Sequence, residues 1–166
     1  MDFKLNEEQQ AIQEAASAFA KTELLPEVIE RDIKCEFPKT LVTKMADMGF
    51  MGMMVPPAYG GGGMDTLSYV IVLEEIAKID ASAAVIMSDN NSLVCWGLEK
   101  YGTEAQKEKY LIPLASGKSL GAFALSEPEA GSDATSQKTT AVDKGDHYLL
   151  NGTKNWITNG HSADYY

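Results

Sequence analysis

The chain has 166 residues, 45% of them hydrophobic and 23% charged, with a formal net charge of −10. That apolar content excludes a disordered chain and suffices for one ordinary core, or for one domain and part of another. The acidic balance argues against nucleic-acid and anionic-membrane partners, and no apolar run approaches the ~20 residues that span a bilayer.

The opening MDFKLNEEQQ has neither the basic-then-apolar layout of a signal peptide nor the Arg-rich character of a mitochondrial presequence. Cytoplasm is therefore the expected compartment. Asn6 followed by Gln9 is a capping-box start, and Leu5, Ile12, Ala16, Phe19 and Ala20 recur at helical spacing up to Pro26. Cys35 and Cys95 lie far apart with no CxxC or Cys/His spacing, which argues against a disulfide framework or zinc site and fits a reducing compartment. In FPKTLVTKMADMGF, Pro38 takes a first helical position. Leu41, Val42, Met45 and Met48 line one face, and Gly49 is the stop.

VPPAYGGGGMD is a loop by composition. Gly60–Gly63 follow PPAY rather than a strand that feeds a helix, so a phosphate-binding reading fails on context and a flexible inter-helix loop is expected. Helices over 66–79 and 81–101 follow, the second ended by Gly102. Thr103 and Gln106 repeat the capping-box pattern and open a helix that Pro113 disturbs. After Gly117 the period changes. SLGAFALSE is apolar and extended; TTAVDKGDHYLLNGTKNWITNG alternates and carries hairpin signals at Lys144-Gly145-Asp146 and Asn151-Gly152. The expected division is a helical domain over 1–118 and the first strands of a β domain over 119–166. About four strands in so short a stretch are marginal alone. With HSADYY at its end, the chain reads as a piece of a longer protein.

Several chemical groups fall in this second part. Glu127 and Glu129 share a face of an extended segment, but Pro128 separates them and no apolar cage surrounds them; a solvated or salt-bridged loop fits better than acid–base chemistry. His147 and His161 stand alone, one in a strand and one in a turn. At Gly131-Ser132 the backbone N–H groups and a hydroxyl can converge on an anion, although ordinary turns far outnumber such nests. In NWITNG, Trp156 and Thr158 are two apart on one strand face; a core Trp beside a Thr is the plainer reading of that motif alone.

Taken together, FALSEPEAGSDATS and LNGTKNWITNG resemble the flavin site of the acyl-CoA dehydrogenase family. Ala124-Leu125-Ser126-Glu127 and Ala130-Gly131-Ser132-Asp133 match the family pattern throughout, and the Trp-Ile-Thr triplet matches downstream. Glu129 stands where many members carry Gly, at a free position. GTEAQKEKYLIPLASGKSLGAFALSE resembles the family's join between helical and middle domains, and VIMSDNNSL resembles its short-chain, butyryl-type members.

The resemblance covers the whole chain and implies an α+β fold. An all-α N-terminal helical domain is followed by the start of an antiparallel β-barrel or sandwich middle domain, the C-terminal helical bundle lying outside this chain. It implies FAD as cofactor and oxidation of a short-chain acyl-CoA to the trans-2-enoyl-CoA, by α-proton abstraction and β-hydride transfer to the flavin. Phe123, Ala124, Leu125 and Ser126 fall at ring-contacting positions, with Ser126 donating to the N1/O2 edge, where a fixed donor stabilises developing charge. Gly131 and Ser132 belong to the cofactor-binding set, Ser132 meeting the cofactor phosphate and the substrate. Trp156 packs on the ring, Ile157 lies within the triplet, and Thr158 hydrogen-bonds N5. The catalytic base is a glutamate beyond residue 166, and none is assigned here. The implied partners are the acyl-CoA and an electron-transferring flavoprotein, in a homotetramer.

Two alternatives stand beside this: an acyl-CoA oxidase that passes electrons to oxygen, and a non-enzymatic helical interaction module. Leu93 and Trp96 share a helical face. Trp96 either closes the acyl pocket early, favouring butyryl-like tails, or packs between helices and touches no substrate.

Overall fold

The computed structural model describes residues 4–166, so the first three residues of the expected 1–118 unit lie outside the described residues. Helix α1 spans Glu7–Phe19. Its capping box is formed: Asn6 accepts from the Gln9 N–H, and the Gln9 side chain accepts from the Asn6 N–H. α1 continues as a π-helical turn, Ala20–Leu24. Glu27, in the left-handed region at φ 62°, then re-aims the chain into α2, Val28–Lys34. α2 buries no residue of its own, and the spacing up to Pro26 gives no warning of it. Arg31 moors it by donating to the carbonyls of Leu24 and Pro26 and to Asp80 Oδ2.

α3 spans Lys39–Asp47. Pro38 precedes it as N-cap rather than entering its first turn, because its ψ of 58° is not helical. Val42 and Met45 are buried; Met48 lies past the helix end and is exposed. The glycine loop is tied to the segment 52–55 by backbone hydrogen bonds. The N–H groups of Gly62, Gly63 and Met64 donate to the carbonyls of Gly52, Val55 and Met53 at 2.8–2.9 Å. A Cβ on Gly61 would meet the Val55 carbonyl oxygen at 2.1 Å, so glycine there permits a close backbone approach.

α4 (Thr66–Ala77) and α5 (Ala81–Ser88) are capped by Asp65 and Asp80, whose carboxylates accept from the N–H groups of Ser68 and Ala83. The expected single helix 81–101 is interrupted: a π-helical turn at Asp89–Cys95 separates α5 from α6, Trp96–Tyr101. The second capping box, Thr103 with Gln106, opens α7, Glu104–Gln106. A π-helical turn, Lys107–Leu111, leads into α8, Ile112–Ala115, where Pro113 is tolerated near the start.

α1 packs on α4, and α4 on α5. Ala16, Leu24, Met45, Met51, Val72, Ile76 and Met87 form the centre of the core, and Phe19 meets Phe50 edge to face at 5.6 Å. Each fully buried Leu, Ile, Val or Met among them contributes about 1.5–3 kcal/mol. A smaller cluster gathers Val55, Cys95, Leu111 and Leu114.

The molecule is α+β, helical first and then opening an antiparallel sheet. β1 (Thr140–Asp143) pairs with β2 (Tyr148–Asn151), Thr140 opposite Asn151 and Asp143 opposite Tyr148. The turn is the expected Lys144-Gly145-Asp146, with Gly145 at φ 96°. No other strand forms among the described residues. SLGAFALSE makes two isolated bridges, Gly121 parallel to Tyr165 and Glu127 antiparallel to Ala130, and Asn151-Gly152 is not a hairpin turn. Gly152 instead lets the backbone pass Thr139, whose Oγ1 would lie 2.0 Å from a Cβ there.

Candidate functional site

Leu120–Ser126 runs as a rail between the helices and the stretch 154–165. The Leu120 N–H donates to Asp164 Oδ2 at 2.8 Å, the Asp164 N–H to the Leu120 carbonyl at 2.8 Å, and the Ala122 N–H to the Tyr165 carbonyl at 2.9 Å. At the far end the Asn155 N–H donates to the Ser126 carbonyl at 2.8 Å, and Lys154 Nζ to that of Leu125 at 3.1 Å. From the helical side, the Gly121 N–H donates to Asn90 Oδ1 at 3.0 Å and the Phe123 N–H to Asp89 Oδ2 at 3.4 Å. Ala122 is buried, whereas Phe123 and Leu125 are exposed and Ala124 and Ser126 half-buried. The rail thus buries one end and presents Phe123–Ser126 at the surface.

The chain then reverses over Pro128, with Glu127 and Ala130 exchanging backbone hydrogen bonds at 3.0 and 3.1 Å. The buried Glu127 carboxylate accepts from Lys154 Nζ (2.8 Å), the Lys138 N–H (2.6 Å) and the Thr139 N–H (3.1 Å). Lys154 leads these in holding the carboxyl down at about 2, with the Thr139 and Lys138 donors adding to it. Glu127 is a structural anion, salt-bridged as expected but not solvated. Glu129 is exposed and pairs with Lys138.

Gly131 and Ser132 are exposed, and Gly131 has no left-handed φ and no close neighbour, so the turn does not form an anion nest. Asp133 accepts from the hydroxyls of Thr135 and Ser136 and opens a 3₁₀ turn, Ala134–Ser136.

Trp156 corrects two expectations at once. It is on no strand, and it is not core: its φ is 58° and it is 93% exposed. The positive φ breaks the extended run that would have stacked it with Thr158. A left-handed conformation at a bulky residue is strained and recurs at functional sites. Because Asn155 is bonded to Ser126, the backbone of the triplet starts at the end of the rail. Ile157 and Thr158 are half-buried. Among the described residues, the hydroxyls of Ser126, Ser132 and Thr158 and the indole N–H of Trp156 have no hydrogen-bond partner.

A cleft of about 800 Å³ lies between α2, Phe37–Pro38, the start of α5 and the Thr158–Asn159 turn. Its walls include Ile29, Val85 and Ile86. Of the nine expected site residues, Thr158 alone lines it. Leu93 and Trp96 do not. Trp96 is half-exposed rather than packed between helices; it meets Tyr101 edge-on at 5.8 Å, with the Lys100 ammonium 4.9 Å from its ring centre. His147, in the turn before β2 rather than on a strand, and His161 are both exposed. Burial pushes the Cys95 thiol up to about 12, which leaves it unreactive. Among the described residues, no cluster of three or more His, Cys, Asp or Glu could hold a metal, and no helix is long and apolar enough to cross a membrane.

Lys154, Asn155, Asn159 and Asn90 hold the rail; all four lie within the stretches LNGTKNWITNG and VIMSDNNSL, yet none is singled out there as a site residue. One signal was present for Asn90: Asp89-Asn90-Asn91 is a polar run inside an otherwise apolar helical pattern.

Comparison with known proteins adds a second line. Residues 6–118 match the profile of the acyl-CoA dehydrogenase N-terminal domain, and residues 122–166 that of the acyl-CoA dehydrogenase middle domain. The short-chain specific acyl-CoA dehydrogenase of Clostridium acetobutylicum is 45% identical over 164 residues, covering 99% of this chain and 43% of that protein. A chain in a solved structure described as the electron transferring flavoprotein of Acidaminococcus fermentans superposes with a TM-score of 0.95 at 49% identity, covering 99% of this chain and 44% of its own length. A glutaryl-CoA dehydrogenase from Mycobacterium smegmatis, solved in complex with FADH2, superposes with a TM-score of 0.93 at 33% identity, covering 96% of this chain and 41% of its own. The chain therefore spans well under half the length of these relatives.

Proposed function

The chain belongs to the acyl-CoA dehydrogenase family, and from that premise we propose that it is the N-terminal part of a flavoenzyme that oxidises short-chain acyl-CoA thioesters to trans-2-enoyl-CoA. One observation carries the reading: the Asn155–Ser126 backbone hydrogen bond joins the Ser126 stretch to the Trp-Ile-Thr triplet, in which the Trp156 indole is exposed and the polar side-chain groups of Ser126, Trp156 and Thr158 are left unpartnered. A flat exposed aromatic flanked by free hydroxyls suits the isoalloxazine of FAD.

FAD, when bound, supplies the acceptor for the substrate's β-hydride. Phe123, Ala124 and Leu125 offer the ring an exposed apolar edge, and Ser126 a hydroxyl donor at its N1/O2 side. Trp156 covers the ring, Ile157 spaces the triplet, and Thr158 offers a hydroxyl to N5. Gly131 and Ser132, both exposed, are assigned to the cofactor phosphate, and Ser132 also to the thioester substrate. Glu127 takes no proton, since its carboxylate is committed to three donors. The base is assigned to a glutamate beyond residue 166. The similarity to the short-chain enzyme supports a short acyl tail, and that to the flavoprotein structure supports an electron-transferring flavoprotein as acceptor. A homotetramer in the cytoplasm, acting in fatty-acid β-oxidation, completes the proposal.

Thr158→Val in the full-length protein tests the assignment. It keeps the shape and removes one neutral hydrogen bond worth about 1 kcal/mol, so flavin reduction by substrate slows about fivefold while FAD stays bound. Wild-type reduction kinetics and flavin potential in the variant would refute the N5 contact. Rates across acyl lengths test the substrate: an optimum at octanoyl or longer would refute the short-chain reading. Hydrogen peroxide in place of dye reduction would favour the oxidase.

A further inference from the structure

Asp89, Asn90 and Asn91 are consecutive and all buried, at 5%, 0% and 2% exposure. On a regular helix, three successive side chains fan out over some 200°. All three lie in the π-helical turn Asp89–Cys95 and are under cover, and each finds backbone partners. Asn91 serves the helical part alone: it accepts from the Met53 N–H and donates to the carbonyls of Phe50 and Met87. Asn90 reaches further. Its Nδ2 donates to the carbonyls of Met51 (2.8 Å) and Leu114 (3.2 Å), and its Oδ1 accepts from the Gly121 N–H at 3.0 Å.

The other backbone group of the same glycine is held from the opposite side. Asn159 Nδ2 donates to the Gly121 carbonyl at 3.0 Å. Asn159 is buried, follows Thr158 directly and sits at φ 62°. Its carbonyl also accepts from the N–H groups of Ser162 and Ala163 at 2.8 Å, closing the turn. Gly121 has no room for a side chain: a Cβ there would lie 2.6 Å from Val94 Cγ1, so the rail packs its backbone directly against the helical side.

We propose that Asn90 and Asn159 are positioning residues that act through Gly121, fixing the Thr158 turn against Phe123–Ser126 and so setting the spacing at which the two hydroxyls meet opposite edges of the flavin ring. The proposal rests on the flavin reading above. Two contacts on one rigid ring must be in register together, and a misplacement of about 1 Å costs on the order of a hundredfold in rate. Asparagine is suited to position 159 because it combines an amide donor with tolerance of the left-handed conformation. Glycine keeps only the second property. Aspartate keeps shape and conformation but turns an acceptor toward the Gly121 carbonyl.

The test uses the full-length protein, reading FAD affinity by titration of the apoprotein, the visible flavin band, and reduction kinetics. N159G is expected to keep its fold, bind FAD about tenfold more weakly, shift the flavin band, and lower kcat five- to thirtyfold with little change in KM. N159D should behave in the same way, and is read in its place if N159G does not fold. N91A is the comparator: its thermal midpoint falls, while FAD affinity and the flavin band stay as in the unsubstituted protein. Wild-type affinity and band in N159G, or an equal change in N91A, would overturn the positioning role. An unsubstituted protein that takes up no FAD would overturn the flavin reading itself.

Discussion

Leu24, Met45, Ile76 and Met87 have no exposed surface at the centre of the helical part, whereas β1 and β2 are exposed along their whole length. The first region is held by burial of apolar side chains. Beyond Leu120, which still joins that core, hydrogen bonds and an ion network carry more of the order: the rail is tied to Asp164, Tyr165 and Asn155, and Glu127 gathers Lys154, Lys138 and Thr139. The candidate site lies where the two meet. The helical part supplies a fixed edge, and the polar part supplies groups still free to bind.

Core truncation should mark the contrast most strongly. Ile76→Ala is expected to cost about 2–5 kcal/mol in urea unfolding, and Leu150→Ala no more than about 0.5. Equal losses would break the comparison. Next in size is Asp89, buried at the seam, where burial raises the carboxyl to about 6 against the Phe123 N–H, which lowers it. A folded-state value above the unfolded one stabilises the protein at low pH, and that contribution is lost as pH rises through about 6. Asp89→Asn should therefore gain on the order of 2 kcal/mol at pH 7 and nothing near pH 3. A constant difference across that range would show that charge burial is not its cause.

Glu127 titrates with the opposite sign, which sharpens the contrast. Its folded value of about 2 lies below the usual 4.5, so its contribution is present above 4.5 and is lost as pH falls toward 2. Hydrogen exchange at the Lys138 and Thr139 amides should show protection fading across that window. Glu127→Gln should weaken protection at every pH and flatten the dependence. The smallest stability effect belongs to Trp156→Ala: within about 0.5 kcal/mol in thermal unfolding, because the indole is in solvent, while FAD affinity falls. A large loss of stability would return Trp156 to a structural role.

What the sequence determined by itself is local. Both capping boxes, Asn6 with Gln9 and Thr103 with Gln106, form as their three-residue spacing requires, and Lys144-Gly145-Asp146 makes its turn, because donor and acceptor are neighbours in the chain whatever else surrounds them. The family was legible for a similar reason, since the motif around Ser126 and the Trp-Ile-Thr triplet are each contiguous. Only the tertiary structure decided the rest. Gly60–Gly63 became a packed loop because Val55 and Gly52 lie against it. Trp156 left the expected strand face through a positive φ. Asn90 and Asn159 found Gly121 across 31 and 38 residues of chain. A buried side-chain amide must bond to whichever backbone packing brings alongside it, and that neighbour is set by how the helices and the rail assemble, which no short stretch of sequence encodes.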